Sequence, residues 1–131
     1  MISIKMRKRI SLLLILIPLS LSAFAQIHKV SSKEIAKDLA QGKIILIDVR
    51  EKDEIQAGMI KDAHWFALSK FKANPSWKEE FKKLTKGKEI LLYCRSGARS
   101  GRVKEILEKE GISAKNIGGY MHLKDQLPTT K

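Results

Sequence analysis

Two short apolar runs constrain this chain more than any other feature. Ile44 to Val49, inside "KIILIDVR", is a nearly continuous β-branched stretch, and Glu89 to Tyr93 is a second, mostly apolar run that reads as another buried strand. A strand with no polar face is covered on both sides, which is the habit of central strands in parallel sheets. Between and around these runs lie amphipathic segments with helix signals, and that alternation predicts an α/β domain.

The helix signals are specific. Ser31 with Glu34 three residues later forms a capping-box pattern, Ile35 and Leu39 share a face, and Gly42 stands where the helix ends. "EKDEIQAGM" reads as a turn or short helix closed by Gly58, and "AHWFAL" as a brief strand. Asn74-Pro75 opens a further helix with Trp77, Phe81 and Leu84 on one face and Gly87 at its end. Trp65, Trp77 and Phe81 are expected in the core. A last helix starts near Ser100, buries Val103, Ile106 and Leu107, and ends at Gly111, while "ISAKNIGGY" supplies a final short strand. The tail from Leu127 onward is expected to fray.

The start of the chain is set apart by its chemistry. "MISIKMRKR" is basic and acid-free, "ISLLLILIPLSL" is apolar, and Ala23-Phe24-Ala25 offers small residues at the positions a signal peptidase reads. This is the three-part pattern of a secretory signal peptide, with an apolar run short of the ~20 residues a membrane span needs. Residues 1–25 are therefore expected to be cleaved, leaving 26–131 as one domain in the periplasm or outside the cell, with no stable membrane insertion. Four basic residues and no acid leave with the leader, so the formal net charge falls from +12 to +8. The remaining lysines are scattered over helical segments rather than interleaved with aromatics, which speaks against a nucleic-acid partner.

One cysteine remains, Cys94, and it cannot form an internal disulfide. It follows the second apolar run and leads into Arg95, Ser96, Gly97, Ala98, Arg99 and Ser100, all small or cationic. A strand, a tight loop and a helix N-terminus gather backbone N–H groups at one point, where an anion is stabilised. A thiol there, near Arg95 and Arg99, is expected to ionise below its ordinary pKa and act as a nucleophile. His28, His64 and His122 lack ligand spacing, so no metal and no cofactor are expected.

These residues carry a resemblance. "LIDVRE" at 46–51, "CRSGARSG" at 94–101 and "NIGGY" at 116–120 are similar to motifs of the rhodanese, or sulfurtransferase, family, nearest to its small periplasmic phage-shock-type members. The resemblance implies a mainly parallel five-stranded sheet flanked by helices on both faces. It implies that Cys94 accepts sulfur, that residues 95–100 hold the substrate, and that Asp48 and Arg50 support the structure beside them. The partners implied are a small anionic sulfur donor such as thiosulfate and an external acceptor, cyanide or a thiol. Two alternatives stay open: a persulfide carrier or sensor acting on a protein partner, and a cysteine-dependent phosphatase or arsenate reductase. The phosphatase pattern needs five residues between Cys and Arg, and here that position is Ser100. The family's "G-H-I-x-G-A" stands as Gly58-Met59-Ile60-Lys61-Asp62-Ala63, which puts the geometry of that turn in question. Sequence leaves the oligomeric state open.

Overall fold

The structure, a computed structural model, describes residues 26–131. The expected leader, 1–25, lies outside them. Twelve elements follow in order: α1 (Ser32–Ala40), β1 (Ile44–Asp48), α2 (Lys52–Gln56), β2 (Met59–Ile60), β3 (His64–Trp65), α3 (Leu68–Ala73), α4 (Trp77–Thr85), β4 (Glu89–Cys94), α5 (Ala98–Lys109), β5 (Lys115–Gly119), α6 (Tyr120–Leu123) and β6 (Thr129–Thr130). The main sheet is parallel throughout, in the order β3-β1-β4-β5. The two apolar runs are its central pair, with Ile44 opposite Glu89 and Asp48 opposite Tyr93.

Residues alternate faces along a strand, so each central strand feeds two cores. Ile45, Ile47, Leu92 and Cys94 point toward α3, α4 and α5, where Phe66, Phe71, Trp77 and Phe81 pack with ring centroids 4.8–6.1 Å apart. Leu46, Leu91 and Tyr93 point the other way, against Ile35 of α1 and Leu123 of α6. Helices thus cover both faces, and the carboxyl ends of β1, β4 and β5 are left free to form a site.

The sequence expectations hold for most elements and fail at four places. The main sheet has four strands rather than five. Met59–Ile60 pairs antiparallel with Thr129–Thr130 in a separate ribbon, because the Ile60 N–H is taken by the Tyr93 hydroxyl (3.1 Å) and the Lys61 N–H by the Pro128 carbonyl (2.8 Å). The tail is accordingly not frayed: Leu127 is buried in the second core. Trp65 is not a core residue. It is 44% exposed, because β3 is a two-residue edge strand, and its indole N–H donates to the Arg50 carbonyl at 2.7 Å. Finally, α3 is an additional helix before Asn74, with no capping signal of its own.

The departure from the family's turn pattern has a local solution. Asp62 stands where the family has glycine, and it adopts φ +67°, alone among non-glycine residues described. Aspartate tolerates the left-handed region better than most residues, so Asp62 makes this turn at some cost in strain.

Candidate active site

The site begins where β4 runs out. Cys94 is its last residue, and only Arg95, Ser96 and Gly97 separate it from α5. Gly97 caps the helix at φ +105°, a conformation that L side chains resist, and so lets the chain fold back over the sulfur. The Gly97 N–H donates to the Cys94 Sγ at 3.0 Å, and the Ser100 hydroxyl, one turn into the helix, lies 3.4 Å from it. The thiol is 1% exposed.

Burial alone would push this thiol up, since a thiolate is penalised in low dielectric. That effect is outweighed by the Ser100 hydroxyl and by the backbone N–H groups of Ser100, Gly97 and Ser96, so Cys94 ionises below its ordinary value. The expected lowering is present, but donors in the loop and first helical turn account for it ahead of the arginines. Arg95 is exposed. Arg99 turns its guanidinium onto the Glu54 carboxylate of α2 in a two-point pair, with Nη2 to Oε2 at 2.7 Å. The pair holds Arg99 above its usual pKa and Glu54 below the usual carboxylate range. Arg99 thus anchors the far end of the loop to α2.

A second framework holds the loop from below. Asn116, fully buried in β5, donates from its amide nitrogen to the Gly97 carbonyl (2.8 Å) and accepts at Oδ1 from the Gly118 N–H (3.1 Å) and the Ser100 hydroxyl (2.7 Å). Ser100 has one proton to donate, so its hydroxyl can serve Asn116 or the sulfur at any moment. When Cys94 is a thiolate the charged acceptor is the stronger draw, and Asn116 keeps its bond from Gly118. Gly119 closes the assembly. It pairs with Cys94 in register beyond a bulge, and a Cβ there would lie 2.1 Å from the Arg95 carbonyl oxygen.

Asp48 and Arg50 form a buried ion pair at the end of β1. Both are buried, and Arg50 bonds its partner through Nε (3.0 Å) and Nη2 (2.8 Å) while also donating to the Gly58 carbonyl (2.7 Å). Its guanidinium lies over the Tyr120 ring, 4.0 Å from the centroid. Burial pulls the Arg50 pKa down, but the hydrogen bond and charge of Asp48 more than compensate, and the net direction is upward. Burial and the Asp48 carboxylate push the Tyr93 phenol well above its ordinary value, so it stays protonated. This group ties α2, β2 and α6 to the ends of β1 and β4.

Of the residues singled out in sequence, Cys94, Ser96, Gly97 and Ser100 come together around the sulfur. Ala98 opens α5 with an exposed side chain, Arg95 and Arg99 lie outside the cradle, and Asp48 and Arg50 lie beneath it. Sequence reasoning missed Asn116, Glu54 and the backbone contact of Gly119. A buried polar residue in the "NIGGY" strand was the signal for the first of these. Among the described residues no cluster of His, Cys, Asp or Glu is arranged to hold a metal, and no helix is long and apolar enough to cross a membrane.

Chemically, the arrangement supplies a low-pKa thiolate beneath a small ring of N–H and O–H donors. It can attack an electrophile and stabilise negative charge on an atom attached to the sulfur.

Comparison with known proteins points the same way. The rhodanese-like domain model matches residues 31–125. A Bacillus subtilis protein carrying the name "Putative sulfurtransferase YtwF" is 32% identical over 97 residues, which cover 73% of this chain and 88% of that one. The tRNA uridine(34) hydroxylase of Rickettsia prowazekii is 30% identical over 66% of this chain, but the match spans only 35% of the hydroxylase. Among solved structures, an Escherichia coli rhodanese with bound anions is 30% identical, with a TM-score of 0.53 over 66% of this chain and 96% of the other.

Proposed function

The chain belongs to the rhodanese-like domain family, and on that premise we propose that it is an exported sulfurtransferase. It takes a sulfane sulfur from thiosulfate or a similar donor onto Cys94 and passes it to cyanide or an external thiol. The observation that carries this reading is the Cys94 sulfur itself, enclosed by the Gly97 N–H and the Ser100 hydroxyl and shifted toward its thiolate.

The Cys94 thiolate attacks the outer sulfur of thiosulfate, the S–S bond of the donor breaks, and sulfite leaves with the electron pair. The persulfide then rests in the cradle, where the donors that stabilise the thiolate offset the charge on the added sulfur. The exposed Arg95 draws in the dianion by long-range attraction. Because the chain has a single cysteine, no second thiol within it can resolve the persulfide, and the acceptor is external. Against the phosphatase alternative stands Arg99, whose guanidinium is committed to Glu54 rather than free to grip a phosphoryl group.

Intact mass before and after thiosulfate, then after cyanide, with thiocyanate measured alongside, tests the proposal. The expected result is one added sulfur on Cys94, discharged by cyanide with repeated turnover, and abolished in Cys94→Ser. Loading with negligible turnover would favour the carrier alternative. Hydrolysis of a chromogenic phosphate ester without any sulfur loading would overturn the reading. Export is tested separately by the mass of the protein recovered from the producing cell, which is expected to begin at Gln26.

A further inference from the structure

Asn116 is fully buried in β5, yet its side chain makes three hydrogen bonds, each to a residue around the cysteine loop: Gly97, Ser100 and Gly118. Resting on sulfur transfer at Cys94, we propose that Asn116 is a positioning residue for that transfer. Its carboxamide oxygen takes the Ser100 proton whenever the Cys94 Sγ is uncharged, and yields it when Sγ becomes a thiolate.

The amide can face only one way. Its nitrogen meets the Gly97 carbonyl, which only accepts, and its oxygen meets the Gly118 N–H, which only donates, so exchanging the two atoms would lose both bonds. The backbone of Asn116 is fixed as well, by the His28 N–H on its carbonyl at 2.6 Å and by its place opposite Leu92 in the sheet. The Ser100 Oγ therefore stands 2.7 Å from the amide oxygen and 3.4 Å from the sulfur. With Sγ uncharged, the shorter contact holds the proton. With Sγ charged, the thiolate is the stronger acceptor. Oδ1 is not left bare by the loss, because Gly118 still donates to it. The hydroxyl thus rotates between two acceptors without stranding a buried group.

Sulfur transfer moves charge on and off Sγ. In loading, the Cys94 thiolate attacks the outer sulfur of thiosulfate, the donor's S–S bond breaks with its electron pair going to sulfite, and the negative charge ends on the outer persulfide sulfur. Sγ is then neutral, and the Ser100 proton returns to Asn116. In discharge, cyanide attacks the outer sulfur, the persulfide S–S bond breaks, thiocyanate forms, and Cys94 departs as a thiolate that regains the hydroxyl. Atoms and charge balance in both steps, with no added oxidant or reductant. Asn116 therefore favours the loaded state over the free thiolate, and Ser100 favours the reverse. Without the amide oxygen the hydroxyl would serve the sulfur alone, and the thiolate would be held too well to attack.

Asn116→Leu removes the competing acceptor. The pH midpoint of iodoacetamide alkylation is expected to fall by about 0.5–1 unit, the worth of one neutral hydrogen bond. At a pH above both midpoints, loading from thiosulfate is expected to slow about two- to threefold, since a less basic thiolate is a weaker nucleophile, while discharge by cyanide does not slow. A merely structural role acts the other way: a loosened loop loses the Gly97 N–H, raises the midpoint and slows both steps. In a Ser100→Ala background, Asn116→Leu is expected to leave the midpoint where Ser100→Ala alone puts it. Because leucine strands the Gly97 carbonyl and the Gly118 N–H, a second measurement, by NMR, keeps Asn116 in place. The Gly118 amide proton, left as the sole donor to Oδ1, is expected to move to lower field as Cys94 ionises and to return when thiosulfate loads it. Most of that movement is expected to disappear in Ser100→Ala. A midpoint that rises in Asn116→Leu, or a Gly118 movement as large in Ser100→Ala as in the parent, would overturn the role of Asn116 while the sulfurtransferase reading stands. Failure of the unsubstituted protein to load sulfur at all would overturn both.

Discussion

Gly119→Ala is the substitution that asks most of the cysteine loop. Gly119 lies in extended backbone at φ −129°, which any residue adopts, so the added methyl brings no dihedral strain. The obstacle is contact: an ideal Cβ would lie 2.1 Å from the Arg95 oxygen and 2.6 Å from both the Arg95 carbonyl carbon and the Ser96 Cα. Real Cβ atoms essentially never come within 3.0 Å of another heavy atom, so β5 and the loop must separate by about 0.9 Å. The atoms in the way are backbone, and the loop is tied down on both sides by the Arg95 carbonyl to Met121 N–H bond and the Asn116 bond to Gly97. Overpacking of this kind costs about 1–3 kcal/mol. A displacement near 1 Å at the reacting atom is worth about 10²-fold in rate. Urea denaturation and the thiosulfate–cyanide assay measure the two effects. Gly111→Ala is the comparator, since its φ is +72° but nothing lies within 4 Å of its Cβ. It is expected to lose roughly 1–2 kcal/mol from backbone strain and no activity. If Gly119→Ala kept parental stability within about 0.5 kcal/mol and its activity within about threefold, close approach would not be what shapes the cradle, and the reasoning would fail.

Four further outcomes follow from the same geometry. Ser100→Ala removes the main hydrogen bond lowering the Cys94 pKa, so the pH midpoint of iodoacetamide alkylation moves upward and alkylation at neutral pH slows. Because the folded-state pKa is depressed, the thiolate's contribution to stability is present above the unfolded value of ~8.5 and lost as pH falls through the folded one; pH-dependent melts of Ser100→Ala should show that contribution reduced. Asp48→Asn strands a buried arginine and is expected to cost about 3–5 kcal/mol in urea melts, the loss seen when one partner of a buried pair is removed. Asp62→Gly relieves the left-handed aspartate and should raise stability by about 0.5–1 kcal/mol, visible as a higher denaturation midpoint at unchanged slope. Glu54→Gln frees Arg99 from its counter-charge, so the KM for thiosulfate is expected to fall while stability drops by about 1 kcal/mol or less, the pair being partly exposed.

What could be read in sequence was governed by local rules. Ile44–Asp48 and Glu89–Cys94 were legible because an uninterrupted apolar run has few other solutions, and the ends of α1, α4 and α5 because glycines mark them. The sulfur's place was legible because strand, glycine and helix start follow one another within a few residues. The remainder depended on partners distant in the chain. Nothing near Arg99 announces that Glu54, 45 residues earlier, will claim its guanidinium. Trp65 has the composition of a core residue, and only its place on a short edge strand exposes it. The tail looked polar and loose until Met59–Ile60 provided a strand for it to pair with.

The pairing of β2 with β6 also carries a meaning in time. Met59 and Ile60 meet Thr130 and Thr129 across roughly 70 residues, for a ribbon only two residues long on each side. Closing so long a loop for so few bonds gains nothing until the rest of the domain has already brought the ends together. The seam is therefore the last part of the fold to form and the first to open. Ile60 is meanwhile held independently by the Tyr93 hydroxyl, and the cysteine loop leans on β5, α2 and α5, none of which waits for the tail. Order of assembly thus separates the domain into a chemical half completed early and a closing seam completed late. Amide exchange is expected to be faster at Lys61, whose N–H bonds to Pro128, than at Leu91 and Leu92 in the sheet's centre.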